Sequence, residues 1–198
     1  MNDRPTPTPI ARLRAEKAYS AGRTACPVDL RLDGNEGRIP PPGLFEALAA
    51  RGPEVVRRYP DRADLEAALA ERVGLEPAAV LVTAGADDAL DRLCRAYLEP
   101  GRNLVVATPT FEMIPRYARL SGAEVRTTPW PSDGFPVDDV LALADGDTGI
   151  IAVVTPNNPT GQVATADDLR RLSEGAPGAL LLVDLAYGEF ADFDLMPA

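Results

Sequence analysis

The chain has 198 residues, 45% of them hydrophobic and 25% charged, which is enough for one substantial soluble core. A net charge of −10 with no basic cluster argues against nucleic acid as a partner. There is no histidine, which excludes Ser/His and Cys/His nucleophile pairs and removes the commonest metal ligand.

Residues 1–9 form a Pro/Thr-rich tail, and a helix is expected from about Ile10 to Ser20. "VDLRLDGNEG" reads as a short strand entering a turn, and "PPPGLFEALAA" opens a helix after prolines. In "RADLEAALAERV", Leu65, Ala68, Leu69 and Val73 share one helical face. From residue 79 the pattern alternates regularly. "AAVLVTAG" is an expected strand. It leads into a helix with Ala89, Leu90, Leu93, Cys94 and Tyr97 at helical spacing. Strand "LVVAT", helix "EMIPRYARLSG", strand "AEVRTTPW" and helix "VDDVLALA" follow. Strand "GIIAVVT", the capped helix "TADDLRRLSEG" and a fifth strand, "ALLLVDLAY", complete the series. Strands with near-continuous apolar runs, alternating with helices, predict an α/β fold: a parallel sheet covered on both faces. Such sheets bind ligands at the carboxyl ends of their strands.

Cys26 and Cys94 are far apart, fit no metal spacing and suggest a reducing compartment. No run approaches the ~20 apolar residues of a membrane helix. The start "MNDRPTPTPI" lacks the features of a signal peptide, so a cytoplasmic protein with no membrane partner is expected.

The strand ends carry the unusual residues. "VTAGADDAL" (Val82 to Leu90) is a strand, a small-residue turn and a helix start. Its N–H groups can cradle a phosphate, or Asp87 and Asp88 can simply complement the helix dipole. In "ATPTF", Phe111 can stack on a flat ligand or join the core. "TPNNPTG" (Thr155 to Gly161) offers side-chain amides between stiff X-Pro bonds, or makes an ordinary turn. Asp184 follows Leu180, Leu181, Leu182 and Val183 directly, and a carboxylate there needs a cation or a donor. Tyr187 offers a hydroxyl three residues on. No strand is followed by G-x-G-x-x-G or G-x-x-x-x-G-K-[ST], which argues against a nucleotide binder.

Taken in order, "LDGNEG", "RRYPD", "AGADDALDRLCRAYLEPG", "ATPTFEMIPRYARLSGAEV", "TPNNPTG" and "VDLAYGEF" resemble the class I/II aminotransferases of the fold-type I pyridoxal-phosphate (PLP) enzymes. The similarity is greatest to the histidinol-phosphate aminotransferase branch and spans roughly residues 30–190. The resemblance implies a three-layer, mainly parallel sheet, with residues 1–30 as a tail and helix and 31–198 as part of the large cofactor domain. It implies PLP as cofactor and an amino donor and a 2-oxo acid as substrates. It assigns Asp184 to the pyridine nitrogen, Asn158 and Tyr187 to the phenolic oxygen and Phe111 to the ring face. Gly85, Ala86 and Asp87 take the phosphate, and Tyr59 reaches the phosphate of a neighbouring subunit in a homodimer. Asn35 lines the substrate site or is a turn residue. Cis peptides are expected before Pro159 and Pro109. Leu185 and "NEG" depart from the branch pattern and bear on the substrate, not on the ring contacts.

The family's Schiff-base lysine falls in a Ser/Thr-x-x-Lys segment beyond the Asp184 strand, and the family's small domain follows it. The chain's single lysine, Lys17, matches nothing catalytic. The resemblance thus implies about the first half of an aminotransferase, without transaminase activity by itself, because the lysine serves as anchor and base. The alternative is a non-catalytic remnant or regulatory partner that uses the dimer surface.

Overall fold

The computed structural model describes residues 9–17 and 39–191. Contacts divide the chain into two compact units, one of residues 17–80 and one of residues 1–16 with 81–198.

In the smaller unit lie α2 (Gly43–Ala50), α3 (Glu54–Arg57) and α4 (Ala63–Val73), followed by a 3₁₀ turn at Pro77–Ala79. Helix α4 stops at Gly74, whose φ of +69° suits a residue without Cβ, and the Leu75 N–H donates to the Ala70 carbonyl at 2.9 Å. Ala70 is fully buried, but the expected apolar face is not: Leu65 is 52% exposed and Leu69 37%. Helical spacing identifies a face, and only a packed neighbour buries it.

The larger unit opens with α1 (Ala11–Ala15), which is shorter than expected, so that Lys17 stands just beyond it. It continues with α5 (Gly85–Tyr97), β1 (Asn103–Thr108), α6 (Met113–Ser121) and β2 (Glu124–Pro129). Next come α7 (Val137–Leu143), β3 (Thr148–Val154), α8 (Ala166–Gly175) and β4 (Leu180–Asp184). The sheet runs β2-β1-β3-β4 and every pairing is parallel.

Side-chain alternation sorts the strands into two cores. Leu104, Val106, Ile150, Ala152 and Val154 join Leu90, Cys94, Ile114 and Ala118 from α5 and α6 on one face. Val105, Ala107, Ile151 and Val153 join Val137, Val140 and Leu172 from α7 and α8 on the other. This is the three-layer, parallel α/β arrangement expected.

The expected strand at "AAVLVTAG" does not form; among the described residues the sheet has four strands. Residues 80–84 are irregular, and Leu81 is 60% exposed. Both sides of β1 are already paired, with β2 and β3, and the run pairs with neither edge strand, β2 or β4. The expected strand in "VDLRLDGNEG" lies outside the described residues.

The predicted cap of α8 is a reciprocal box. The Thr165 hydroxyl accepts from the Asp168 N–H at 3.1 Å, and the Asp168 carboxylate accepts from the Thr165 N–H at 2.8 Å. At the amino edge of the sheet Asn103, 1% exposed, donates to Asp145 at 2.9 Å and accepts from the Thr148 hydroxyl at 2.8 Å. Asp145 also takes a bond from Arg126 at 2.5 Å. Arg126 above all, then Asn103 and the Asp147 N–H, hold its carboxyl down at about 2. Beside it the β1–β3 register skips Gly149: Asn103 faces Thr148 and Leu104 faces Ile150. A Cβ on Gly149 would stand 2.5 Å from the Tyr97 carbonyl oxygen and 2.8 Å from Leu98.

Two outcomes follow for stability. Because its folded-state pKa lies below its unfolded one, Asp145 stabilises the fold above the usual carboxylate range and loses that contribution as pH falls toward about 2. Asp145→Asn should therefore lower the urea midpoint at pH 7, with the gap to wild type narrowing at pH 2 to 3. Gly149→Ala should cost about 1–3 kcal/mol in urea unfolding, because a backbone carbonyl has to move.

Candidate functional site

At the carboxyl ends of the strands, three loops and the start of α5 surround a cavity of about 240 Å³. Its wall comprises Ala84, Gly85, Ala86 and Asp87 from the α5 start and Phe111 after β1. Val154 and Asn158 come from the end of β3 and its loop, and Asp184, Ala186 and Tyr187 from the end of β4. The cavity lies wholly within the larger unit. Of the residues singled out in the sequence, Gly85, Ala86, Asp87, Phe111, Asn158, Asp184 and Tyr187 meet here. Tyr59 stands in the other unit, 100% exposed, and Asn35 lies outside the described residues.

The α5 end is built from a left-handed glycine. Gly85 has φ +81°, which turns the chain from residues 80–84 into the helix. The first-turn N–H groups of a 13-residue helix have no partner within the helix, and they carry its positive dipole end. The two aspartates of this turn separate in role. Asp88 accepts from the Ala84 N–H at 3.0 Å and from Arg92 at 2.8 Å. Arg92 first, then the Ala84 N–H, lower its pKa, so Asp88 serves the helix rather than the cavity. Asp87 lines the cavity, and its carboxylate lies near the Tyr117 hydroxyl. Burial, then the Asp87 and Asp91 carboxylates, raise the Tyr117 pKa, so it remains a neutral donor.

Phe111 packs on the first core and also lines the cavity. The two asparagines of "TPNNPTG" divide. Asn157 is 3% exposed and turned inward, while half-buried Asn158 lines the cavity. The loop closes on itself: the Asn157 N–H donates to the Gln162 carbonyl, and the Gly161 N–H to the Asn157 carbonyl, both at 2.7 Å. The Thr155 hydroxyl accepts from the Ala164 N–H at 3.0 Å. The bonds before Pro109 and Pro159 are cis, as expected, and so is the one before Pro156. Asp184 accepts from the Ala186 N–H at 2.9 Å, which bends the chain directly after β4. The Tyr187 ring sits 6.5 Å from that of Phe190.

Sequence reasoning passed over Asn157. The signal was the doubled amide, one copy of which had to go inward. Cys94 is excluded as a nucleophile: it is buried, and burial pushes its thiol up to about 11. Among the described residues no acidic, cysteine or histidine cluster could hold a metal. No helix among them is long and apolar enough to cross a membrane.

The wall has a definite chemistry: the helix start at Gly85–Asp87, the Asn158 amide, the Asp87 and Asp184 carboxylates, the Tyr187 hydroxyl and the Phe111 ring. It matches a flat, polyfunctional phosphorylated ring better than a sugar or a metal ion. Comparison with known proteins agrees with this class. The chain is 41% identical over 165 residues to a histidinol-phosphate aminotransferase of Rhodospirillum centenum, a match covering 81% of this chain and 45% of that protein. The fold superposes on the histidinol-phosphate aminotransferase of Sinorhizobium meliloti, solved in complex with pyridoxal-5'-phosphate, with TM-score 0.69 and 25% identity over 77% of this chain and 42% of that one. It superposes equally on the aspartate aminotransferase of Thermus thermophilus, with TM-score 0.68 and 26% identity over 77% and 44%. The chain spans about half the length of the curated relatives it matches. The sequence model of aminotransferase class I and II matches residues 31–197, and the chain belongs to that family.

Proposed function

We propose that the cavity at the strand ends binds pyridoxal 5'-phosphate, and that the chain supplies the cofactor-holding part of an aminotransferase. The observation that carries this is the convergence of Gly85–Asp87, Phe111, Asn158, Asp184 and Tyr187 on one cavity from separate segments of a family member. Bound there, the cofactor supplies an electron sink for bonds broken beside the substrate amine. The Asp184 carboxylate holds the proton on the pyridine nitrogen. The Asn158 amide and the Tyr187 hydroxyl donate to the phenolic oxygen, and Phe111 covers a ring face. The N–H groups of Ala86 and Asp87 take the phosphate at the α5 start.

The reaction class we assign is amino-group transfer from an amine of the histidinol-phosphate type to a 2-oxo acid. Relatives bearing that name support the substrate, and Leu185 is the local departure from their pattern. A homodimer, with Tyr59 reaching the phosphate of a second copy, is supported by the full exposure of Tyr59 and by Val56 beside it at 88%. Residues 31–198 belong to the cofactor domain, with 1–30 as its leading segment.

The 198-residue polypeptide has one lysine, exposed Lys17 beyond α1, so we assign it reversible cofactor binding and no turnover by itself. The same fact favours a second reading, a non-catalytic partner within a larger assembly. Neighbouring DNA that encodes a Ser/Thr-x-x-Lys segment would decide for the enzyme.

Titration of the purified chain with pyridoxal phosphate should show saturable binding that dialysis reverses. Borohydride reduction and peptide mapping should give no pyridoxyl adduct at Lys17, and mixtures of amino donor and 2-oxo acid should show negligible turnover. A stoichiometric Lys17 adduct, or turnover, would overturn the assignment. Asp184→Asn should loosen the cofactor about ten- to a hundredfold, the loss of one bond to a charged group.

A further inference from the structure

We infer that Asn157 is a positioning residue that locks the loop after β1 to the loop after β3, and so sets Phe111 and Asn158 in register around the ligand. The inference rests on the reading of the cavity given above. Asn157 does not line the cavity, and it spends every polar atom on structure. Its Nδ2 donates to the Pro109 carbonyl at 2.9 Å and to the Thr160 hydroxyl at 2.8 Å. Its Oδ1 accepts from the Thr110 hydroxyl at 2.9 Å. Its backbone N–H and carbonyl close the "TPNNPTG" loop through Gln162 and Gly161 at 2.7 Å each. The amide orientation is fixed by chemistry, since a carbonyl such as that of Pro109 can only accept.

The geometry makes the coupling specific. Pro109 and Thr110 immediately precede Phe111, while Asn157 immediately precedes Asn158. One side chain thus holds the neighbours of two cavity residues contributed by different strands. Those strands are themselves hydrogen-bonded only as far as Val106 and Ala152, so beyond the ladder Asn157 is the bridge between the two loops. With an exposure of 3% it has no water to replace a lost partner, and removing its donors leaves the Pro109 carbonyl unsatisfied.

The test uses the 198-residue chain with pyridoxamine 5'-phosphate, whose amine cannot condense with lysine. Asn157→Asp keeps the size and the acceptor but removes both donors. It should weaken pyridoxamine phosphate about tenfold while leaving the affinity for inorganic phosphate, which needs only the α5 start, unchanged. In an Asn158→Ala background the same change should cost much less, because the aim it preserves is gone. Amide hydrogen exchange should speed up together over residues 110–112 and 155–162 in Asn157→Asp, with β1 and β3 unaffected. Equal binding by wild type and Asn157→Asp, an undiminished loss in the Asn158→Ala background, or faster exchange in only one loop would each overturn the inference. Failure of the wild-type chain to bind pyridoxamine phosphate would instead overturn the cofactor reading, and the exchange experiment would still decide the role of Asn157.

Discussion

Parallel pairing is the constraint on which the rest of the structure depends. Because β2, β1, β3 and β4 all run the same way, each must be left by a crossover, and all their carboxyl ends come to one edge. That edge collects loops that are far apart in sequence. A carboxylate from β4, an amide from the β3 loop and a ring from the β1 loop become neighbours without any of those segments being close along the chain. The two apolar faces follow from the same geometry. Strands buried on both sides must be apolar at nearly every position, and β3 is buried throughout.

The electrostatics of the cavity are one-sided. Asp87 and Asp184 line it, and no lysine or arginine does among the described residues. The positive contribution comes from the start of α5, whose first-turn N–H groups carry the helix dipole, with no side-chain cation lining the cavity among the described residues. The Ala84 N–H and Arg92 keep the Asp88 carboxylate engaged beside that dipole.

Much of this was legible in the sequence because short-range chemistry decides it. The apolar runs of β1 and β3, the Thr165–Asp168 cap and the Gly turns each follow from residues within a few positions. The cavity residues were legible because strand ends are recognisable and their motifs are in family order. What was not legible depends on partners distant in the chain. "AAVLVTAG" has the composition of a strand but joins no ladder among the described residues, and α4 has an apolar stripe that is left exposed. The resemblance singled out Asn158 and was silent on the asparagine before it. Only the nearness of Pro109 and Thr110, across the sheet, determines that Asn157 turns inward.

The skipped residue at Gly149 reaches further than its own neighbourhood. Since side chains alternate along a strand, a one-residue slip at the amino end inverts the phase of everything downstream. Without it Leu104 would face Gly149, and Val153 rather than Val154 would come to the face shared with α5 and the cavity. A glycine pressed against the end of α5 thereby sets which side chain of β3, Val154, reaches the cavity at the opposite edge of the sheet.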